Sequence, residues 1–291
     1  MSDKIIVNRL AGSIGAEIIG DDVKNEHHWP IIRKAFIDFS VISIREQNIT
    51  PDDHLTFAKR WGEINVNRFF NSLESYPNIA IVLKEADQTA AIGEDWHTDH
   101  SYDTKPAMCS ILHAIDLPPY GGDTCFSSQY AAYDALSNKM KKMLDGQYAW
   151  HSSRHAFGEI AKSDAQHKTG NFKNANKATQ DALHPVVITH PLSGKKALYV
   201  NPDFTTHLEG FKPIESKAIL SFLYSHCQNA DFQCRIKWKK GDVTMWDNRA
   251  TWHKAINDYQ GYRRYMHRIT VEGCTVTVSY THLTLPTNSL V

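Results

Sequence analysis

The 291-residue sequence has no Cys-x-x-Cys pair, no excess of either charge and no long apolar run. Its five cysteines, Cys109, Cys125, Cys227, Cys234 and Cys274, are odd in number and scattered. That argues against a disulfide framework or a zinc ribbon and fits a reducing compartment. Lysine plus arginine equals aspartate plus glutamate, at 32 each, so the basic surplus typical of nucleic-acid binders is missing. The stretch Met1 to Gly20 mixes polar and apolar residues, so neither a signal peptide nor a membrane span is expected, and the chain reads as cytoplasmic. Apolar residues make up 42 %, enough for a substantial core. No internal repeat and no domain boundary stand out, and one domain over residues 1–274 is expected.

Hydrophobic spacing divides the chain into short elements. Helices are expected near Trp29–Phe39, after Thr50-Pro51-Asp52-Asp53, and near Ile214–Cys227. A further helix is expected over about 130–145, with Tyr133, Leu136, Met140 and Met143 on one face and Gly146 as its stop. Short strands are expected over Ile79–Leu83, Met108–Ile115, Thr124–Phe126, Val243–Trp246 and Tyr265–Val271. Strict alternation marks Phe232–Trp238, and Val186–Thr189 with Ala197–Asn201 reads as a hairpin around Ser193-Gly194. Residues 161–182 are polar and read as a long mobile loop, a surface helix or a lid. Many short strands with inserted helices make the expected fold mainly β, a double-sheet jelly-roll barrel (double-stranded β-helix).

Three features carry chemistry. In Trp96-His97-Thr98-Asp99, an extended backbone points His97 and Asp99 to one side. With 16 histidines and 32 acids, about two His-x-acid pairs arise by chance. The sequence holds two, the other being His207 and Glu209, so spacing alone leaves a metal site and a pair of ordinary polar residues both open. The second feature is Trp252-His253-Lys254, a lone histidine far downstream. The third is Arg263-Arg264-Tyr265-Met266-His267-Arg268, where Arg264 and Arg268 share one strand face. If that face is solvated, the arginines are ordinary surface residues. If it lines an interior, each needs an anionic partner, because an unpaired buried charge costs several kcal/mol.

Four motifs in order resemble the taurine/2,4-dichlorophenoxyacetate (TauD/TfdA) family of 2-oxoglutarate-dependent dioxygenases. They are Glu94-Asp95-Trp96-His97-Thr98-Asp99, Gly121-Gly122-Asp123-Thr124, Gly241-Asp242-Val243-Thr244-Met245-Trp246-Asp247-Asn248-Arg249-Ala250-Thr251-Trp252-His253, and the arginine run at 263–268. The resemblance extends over about residues 5–273. It implies that His97, Asp99 and His253 hold Fe(2+), and that Thr124 and Arg264 hold the distal carboxylate of 2-oxoglutarate. It further implies that Arg268 meets the acidic end of the substrate, with Asn67, Phe157 and Phe204 in the substrate pocket. Two histidines and one carboxylate leave three positions open on an octahedral ion, two for 2-oxoglutarate and one for O2. A carboxylate at 99 favours hydroxylation over halogenation, with release of succinate and CO2. His207 and Glu209 have no counterpart in the family and read as structural.

The sequence departs from taurine-specific members at Asn67, where they carry a histidine, and at Ile92 and Gly93, where they carry polar residues for the amine. The expected substrate is therefore a small anionic organic compound without an ammonium group: an alkyl sulfonate, a sulfate or a carboxylate. Arg68 is a further candidate cation, read as a surface residue. Relatives often form dimers or tetramers, so a homo-oligomer is compatible with the resemblance. A zinc hydrolase on the same three residues, or a non-catalytic small-molecule binder, are the alternatives. Thr275–Val291, with strand-like alternation over Val278–Asn288, is similar to translated sequencing-adapter read-through and is expected to be a non-native tail.

Overall fold

The protein is mainly β. The computed structural model describes residues 5–158, 170 and 172–278. Its largest sheet runs in the order Ile6–Arg9, Ala16–Ile19, Val41–Ile44, Val243–Asp247, Cys109–Asp116, Arg264–Val271, Tyr76–Lys84 and Ser72–Leu73, and Ile64–Asn65 pairs with the last residues of Arg264–Val271. Neighbours are antiparallel except Ala16–Ile19 beside Val41–Ile44. A three-stranded sheet holds Gln233–Ile236, Thr124–Ser128 and Thr251–Ala255. A second one holds Asp181–Pro185, Tyr148–Ser152 and Thr205–Leu208, and Val187–Thr189 pairs with Lys196–Leu198 as the expected hairpin.

Period-two alternation sorts the large sheet into two buried faces. One face, with Ile111, Met245 and Ile269, packs under the helices Trp29–Phe39 and Pro51–Lys59 through Ile32, Phe36 and Phe57. Each such side chain contributes about 1.5–3 kcal/mol on burial. The opposite face, with Leu112, Trp246 and Met266, packs against Phe126 and Ile236 of the three-stranded sheet. The space between these two sheets receives the side chains of Arg264 and Arg268, which alternate with Met266 on that same face.

Local signals act as their chemistry dictates. Thr50 and Asp53 form a reciprocal capping box at the start of Pro51–Lys59. Trp29–Phe39 ends at Ser40, which takes a left-handed conformation and returns its N–H to Phe36. All five cysteines are free thiols.

Two expectations are corrected. The single helix over 130–145 is two, Gln129–Asp134 and Asn138–Leu144, because Ser137 accepts from the Met140 N–H and starts a second helix. The stripe of the long helix is accordingly broken, and Met143 is exposed. In the polar segment 161–182, residues 161–169 and 171 lie outside the described residues, whereas Ala175–Lys177 forms a short 3-10 turn and Asp181 opens a strand. Val276 is buried and Thr277 bridges to Thr189; residues 279–291, including most of the alternation seen in the sequence, lie outside the described residues. Among the described residues, no helix is long and apolar enough to cross a membrane.

Candidate metal and co-substrate site

His97 and His253 face each other across a two-bond antiparallel bridge. The His97 N–H donates to the His253 carbonyl at 3.1 Å, and the His253 N–H returns to the His97 carbonyl at 2.8 Å. Residues so paired project to one side, and the two imidazole centroids are 4.1 Å apart. Asp99, two residues after His97, joins them: Oδ1 is 3.8 Å from His97 Nε2, and Oδ2 is 3.7 Å from His253 Nε2. One ligand atom from each of the three residues lies within 4.8 Å of the others, and all three residues are buried.

These separations are too long for hydrogen bonds yet bring three desolvated polar groups to one point, an arrangement that a cation would satisfy. The Asp95 carbonyl lies 2.8 Å from His97 Nδ1 and fixes the proton there, leaving the Nε2 lone pair toward Asp99. Burial, then the adjacent His97 ring, push the His253 imidazole well below its ordinary value, so it presents a neutral nitrogen. Burial alone would raise the Asp99 carboxyl, but Arg268, then His253 and His97, hold it well below the usual carboxylate range. The donor set, two imidazoles and one carboxylate, suits a divalent transition-metal ion. Gly93 is needed beside it: its φ is +75°, and a Cβ there would come within 3.0 Å of His97 Cε1.

Arg264 and Thr124 share a small cavity of about 50 Å³ with His97, His253 and Arg268. Arg264 Nε donates to the Gly122 carbonyl at 3.0 Å, and its guanidinium lies 5.8 Å from the Trp238 ring. Trp238 Nε1 in turn donates to Thr124 Oγ1 at 3.0 Å. Burial lowers the Arg264 guanidinium from its ordinary value, and no carboxylate of the described residues lies within ion-pair distance of it. Lys84, its register partner on the neighbouring strand, is a second buried cation, held over the Tyr259 ring at 4.6 Å. A buried guanidinium with no ion-paired carboxylate among the described residues predisposes this end of the site to an anion.

A larger cavity of about 840 Å³ opens on the other side of the histidines, lined by Asn67, Phe70, Tyr102, Phe157, Phe204 and Arg268 among others. Phe157 stacks with Phe204 at 5.9 Å, and Phe204 meets the His97 ring edge-on at 6.4 Å. Arg268 is the one arginine or lysine lining this cavity among the described residues. Asn67 reaches the wall, but its carbonyl oxygen accepts from the Phe69 and Phe70 N–H groups. Arg68 is bound to Asp103 at 2.9 Å. His207 and Glu209 stand apart from the site, where Glu209 accepts from Trp150 Nε1 and His207 contacts Thr206.

The family model for the taurine catabolism dioxygenase TauD, TfdA family matches residues 7–270. The chain belongs to this family. Among TauD/TfdA relatives, an alpha-ketoglutarate-dependent sulfonate dioxygenase of Saccharomyces cerevisiae is 28 % identical over 91 % of this chain. A 2,4-dichlorophenoxyacetate dioxygenase of Burkholderia sp., also alpha-ketoglutarate-dependent by name, is 33 % identical over 80 % of this chain and 82 % of its own length. The crystal structure of a taurine dioxygenase from Burkholderia xenovorans superposes with a TM-score of 0.79 at 30 % identity, covering 94 % of this chain and 91 % of that one. Yeast relatives are longer: the match covers 66 % of the Saccharomyces cerevisiae protein and 44 % of one from Schizosaccharomyces pombe.

Sequence reasoning passed over Ser110, Lys84 and Asp203. Ser110 donates to Asp99 Oδ2 at 2.7 Å. Asp203 lines the larger cavity with Oδ2 3.9 Å from His97 Nδ1. The run Met108–Ile115 is apolar apart from Ser110 and His113, and that interruption was the available signal for Ser110. Nothing local marked Asp203, which a loop brings in from 106 residues beyond His97.

Proposed function

We propose that this TauD/TfdA-family chain is a 2-oxoglutarate-dependent dioxygenase that hydroxylates a small anionic organic substrate and releases succinate and CO2. In this reading His97, Asp99 and His253 hold Fe(2+), and Thr124 and Arg264 hold the distal carboxylate of 2-oxoglutarate. A single observation carries it: three buried ligand groups converge beside a buried Arg264 that has no carboxylate at ion-pair distance among the described residues. A zinc hydrolase would leave Arg264 and Thr124 without a task.

A bound ferrous ion with 2-oxoglutarate and O2 supplies the oxidising power; this chain's residues supply position and a dry cavity. The Arg264 fork matches a carboxylate in two prongs, with Thr124 Oγ1 beside it. Arg268 lines the larger cavity and offers its guanidinium to the acidic end of the substrate, its buried Nε having no hydrogen-bond partner among the described residues. Phe157 and Phe204 form an apolar wall against the substrate carbon chain. The names of the relatives, sulfonate and 2,4-dichlorophenoxyacetate dioxygenases, support an anionic substrate. We read the facing sheets as a double-stranded β-helix, residues 1–274 as one catalytic domain, and the free thiols as fitting a cytoplasmic location.

The test is succinate release from 2-oxoglutarate by the Fe(2+)-loaded protein with ascorbate, screened over alkyl sulfonates, sulfate esters and aryloxyacetates. Oxygen-dependent release stimulated by at least one of these compounds is expected. Turnover that needs neither O2 nor 2-oxoglutarate would contradict the reading.

A further inference from the structure

We propose that Ser110 is a positioning residue that limits Asp99 to one metal-binding oxygen. The inference rests on the reading of His97, Asp99 and His253 as a metal site. Ser110 is fully buried on the strand Cys109–Asp116, on the face shared with Leu112. Its Oγ lies 2.7 Å from Asp99 Oδ2, 3.2 Å from Arg268 Nη2 and 3.3 Å from Asn248 Nδ2.

The direction of these bonds is forced. Arginine and the amide nitrogen of asparagine only donate, so the single hydroxyl proton goes to Asp99. Oδ2 therefore accepts the Ser110 hydroxyl proton and is ion-paired with Arg268 Nη2 at 2.8 Å. No described residue donates to Oδ1. With Oδ2 engaged by one hydrogen bond and one ion pair, Oδ1 is the oxygen left to a metal. A two-oxygen carboxylate would take a fourth position and leave room for 2-oxoglutarate or O2 but not both.

The hydroxyl is itself held from behind. Asn248 sits in the turn Asp247–Arg249, and its carbonyl accepts from Thr98 Oγ1, one residue before Asp99. Asp247 accepts two bonds from the Arg249 guanidinium, at 2.9 and 2.7 Å, and contacts His190 Nε2 at 3.0 Å. The Asp-Asn-Arg turn thus fixes the Ser110 acceptor geometry from a strand next to the metal ligand rather than touching the ligand directly.

The experiment is a Mn2+ titration followed by electron paramagnetic resonance, on wild type, Ser110→Ala, Ser110→Thr and His97→Ala. Groups that orient metal ligands are worth about 10- to 100-fold in metal affinity, so Ser110→Ala should bind Mn2+ at least about tenfold more weakly. Ser110→Thr keeps the hydroxyl and should stay within about threefold of wild type. The melting midpoint of the metal-free proteins monitors the fold. Ser110→Ala binding as tightly as wild type would overturn the proposal. So would equal losses in Ser110→Ala and Ser110→Thr, which would assign the effect to packing. If instead wild type binds no Mn2+, or His97→Ala binds it equally well, the metal site itself fails and takes this inference with it.

Discussion

Arg268 and Asp99 form a buried ion pair, with Nη2 2.8 Å from Oδ2. The same arginine lines both cavities, so one guanidinium touches the proposed metal ligand, the co-substrate end and the substrate pocket. Charge in the larger cavity therefore depends on it alone among the lysines and arginines of the described residues.

Replacing Arg268 tests that dependence. Arg268→Gln should raise KM for an anionic substrate by about tenfold or more, the usual cost of losing a charge-assisted hydrogen bond. Arg268→Lys should recover only part, because it keeps charge and loses the planar fork. Steady-state succinate release against substrate concentration checks both; an unchanged KM in Arg268→Gln would place the substrate anion elsewhere.

Arg264 should act on the co-substrate instead. Arg264→Lys is expected to raise KM for 2-oxoglutarate by about tenfold, with a smaller change in KM for the primary substrate. Thr124→Val should shift the same constant in the same direction. An effect of either variant on the primary substrate alone would argue against the assignment.

Much of this arrangement was readable from residue order, and part was not. The capping box at Thr50, the helix Trp29–Phe39 and the alternating faces of Arg264–Val271 follow from local rules, because helix caps and strand pleats depend on near neighbours. The break at Ser137 was missed because an apolar stripe continues across it while a serine cap competes locally. Whether Arg264 and Arg268 faced water or the interior was undecidable from alternation, since both faces of the strand are buried. The meeting of His97 with His253 spans 156 residues and no spacing rule predicts it; the motif resemblance pointed to it. Ser110 and Asp203 stayed hidden because their contacts depend on tertiary placement.

On the far face of the large sheet, His54, His113 and His267 are buried together, with His54 and His113 rings 5.9 Å apart. Burial, then His113 and His267, lower His54 to about 3; burial, then His267, lower His113 to about 4; burial lowers His267. The unfolded chain takes up protons on these rings near 6.5, and the folded one does not. Their contribution to stability is therefore fully present above that value and is lost as pH falls from about 6.5 toward 4. The melting midpoint should drop between about pH 7.5 and pH 5, and His54→Phe should lessen that drop. An identical drop in His54→Phe would remove this histidine from the account.

The Asp247–Arg249 pair makes a different demand. Both side chains are buried, and Arg249 together with His190 holds the Asp247 carboxyl below the usual range against the effect of burial. Arg249→Met leaves a buried carboxylate without its main partner and should cost about 3–5 kcal/mol in chemical denaturation. A loss under about 1 kcal/mol would mean that His190 suffices.

In the proposed function, three residues distant in the chain hold one ferrous ion, with 2-oxoglutarate beside Arg264. Adding 2-oxoglutarate to the Fe(2+)-loaded protein without oxygen should produce a weak visible charge-transfer band, absent from His97→Ala. No band in the wild type, or an equal band in His97→Ala, would contradict it.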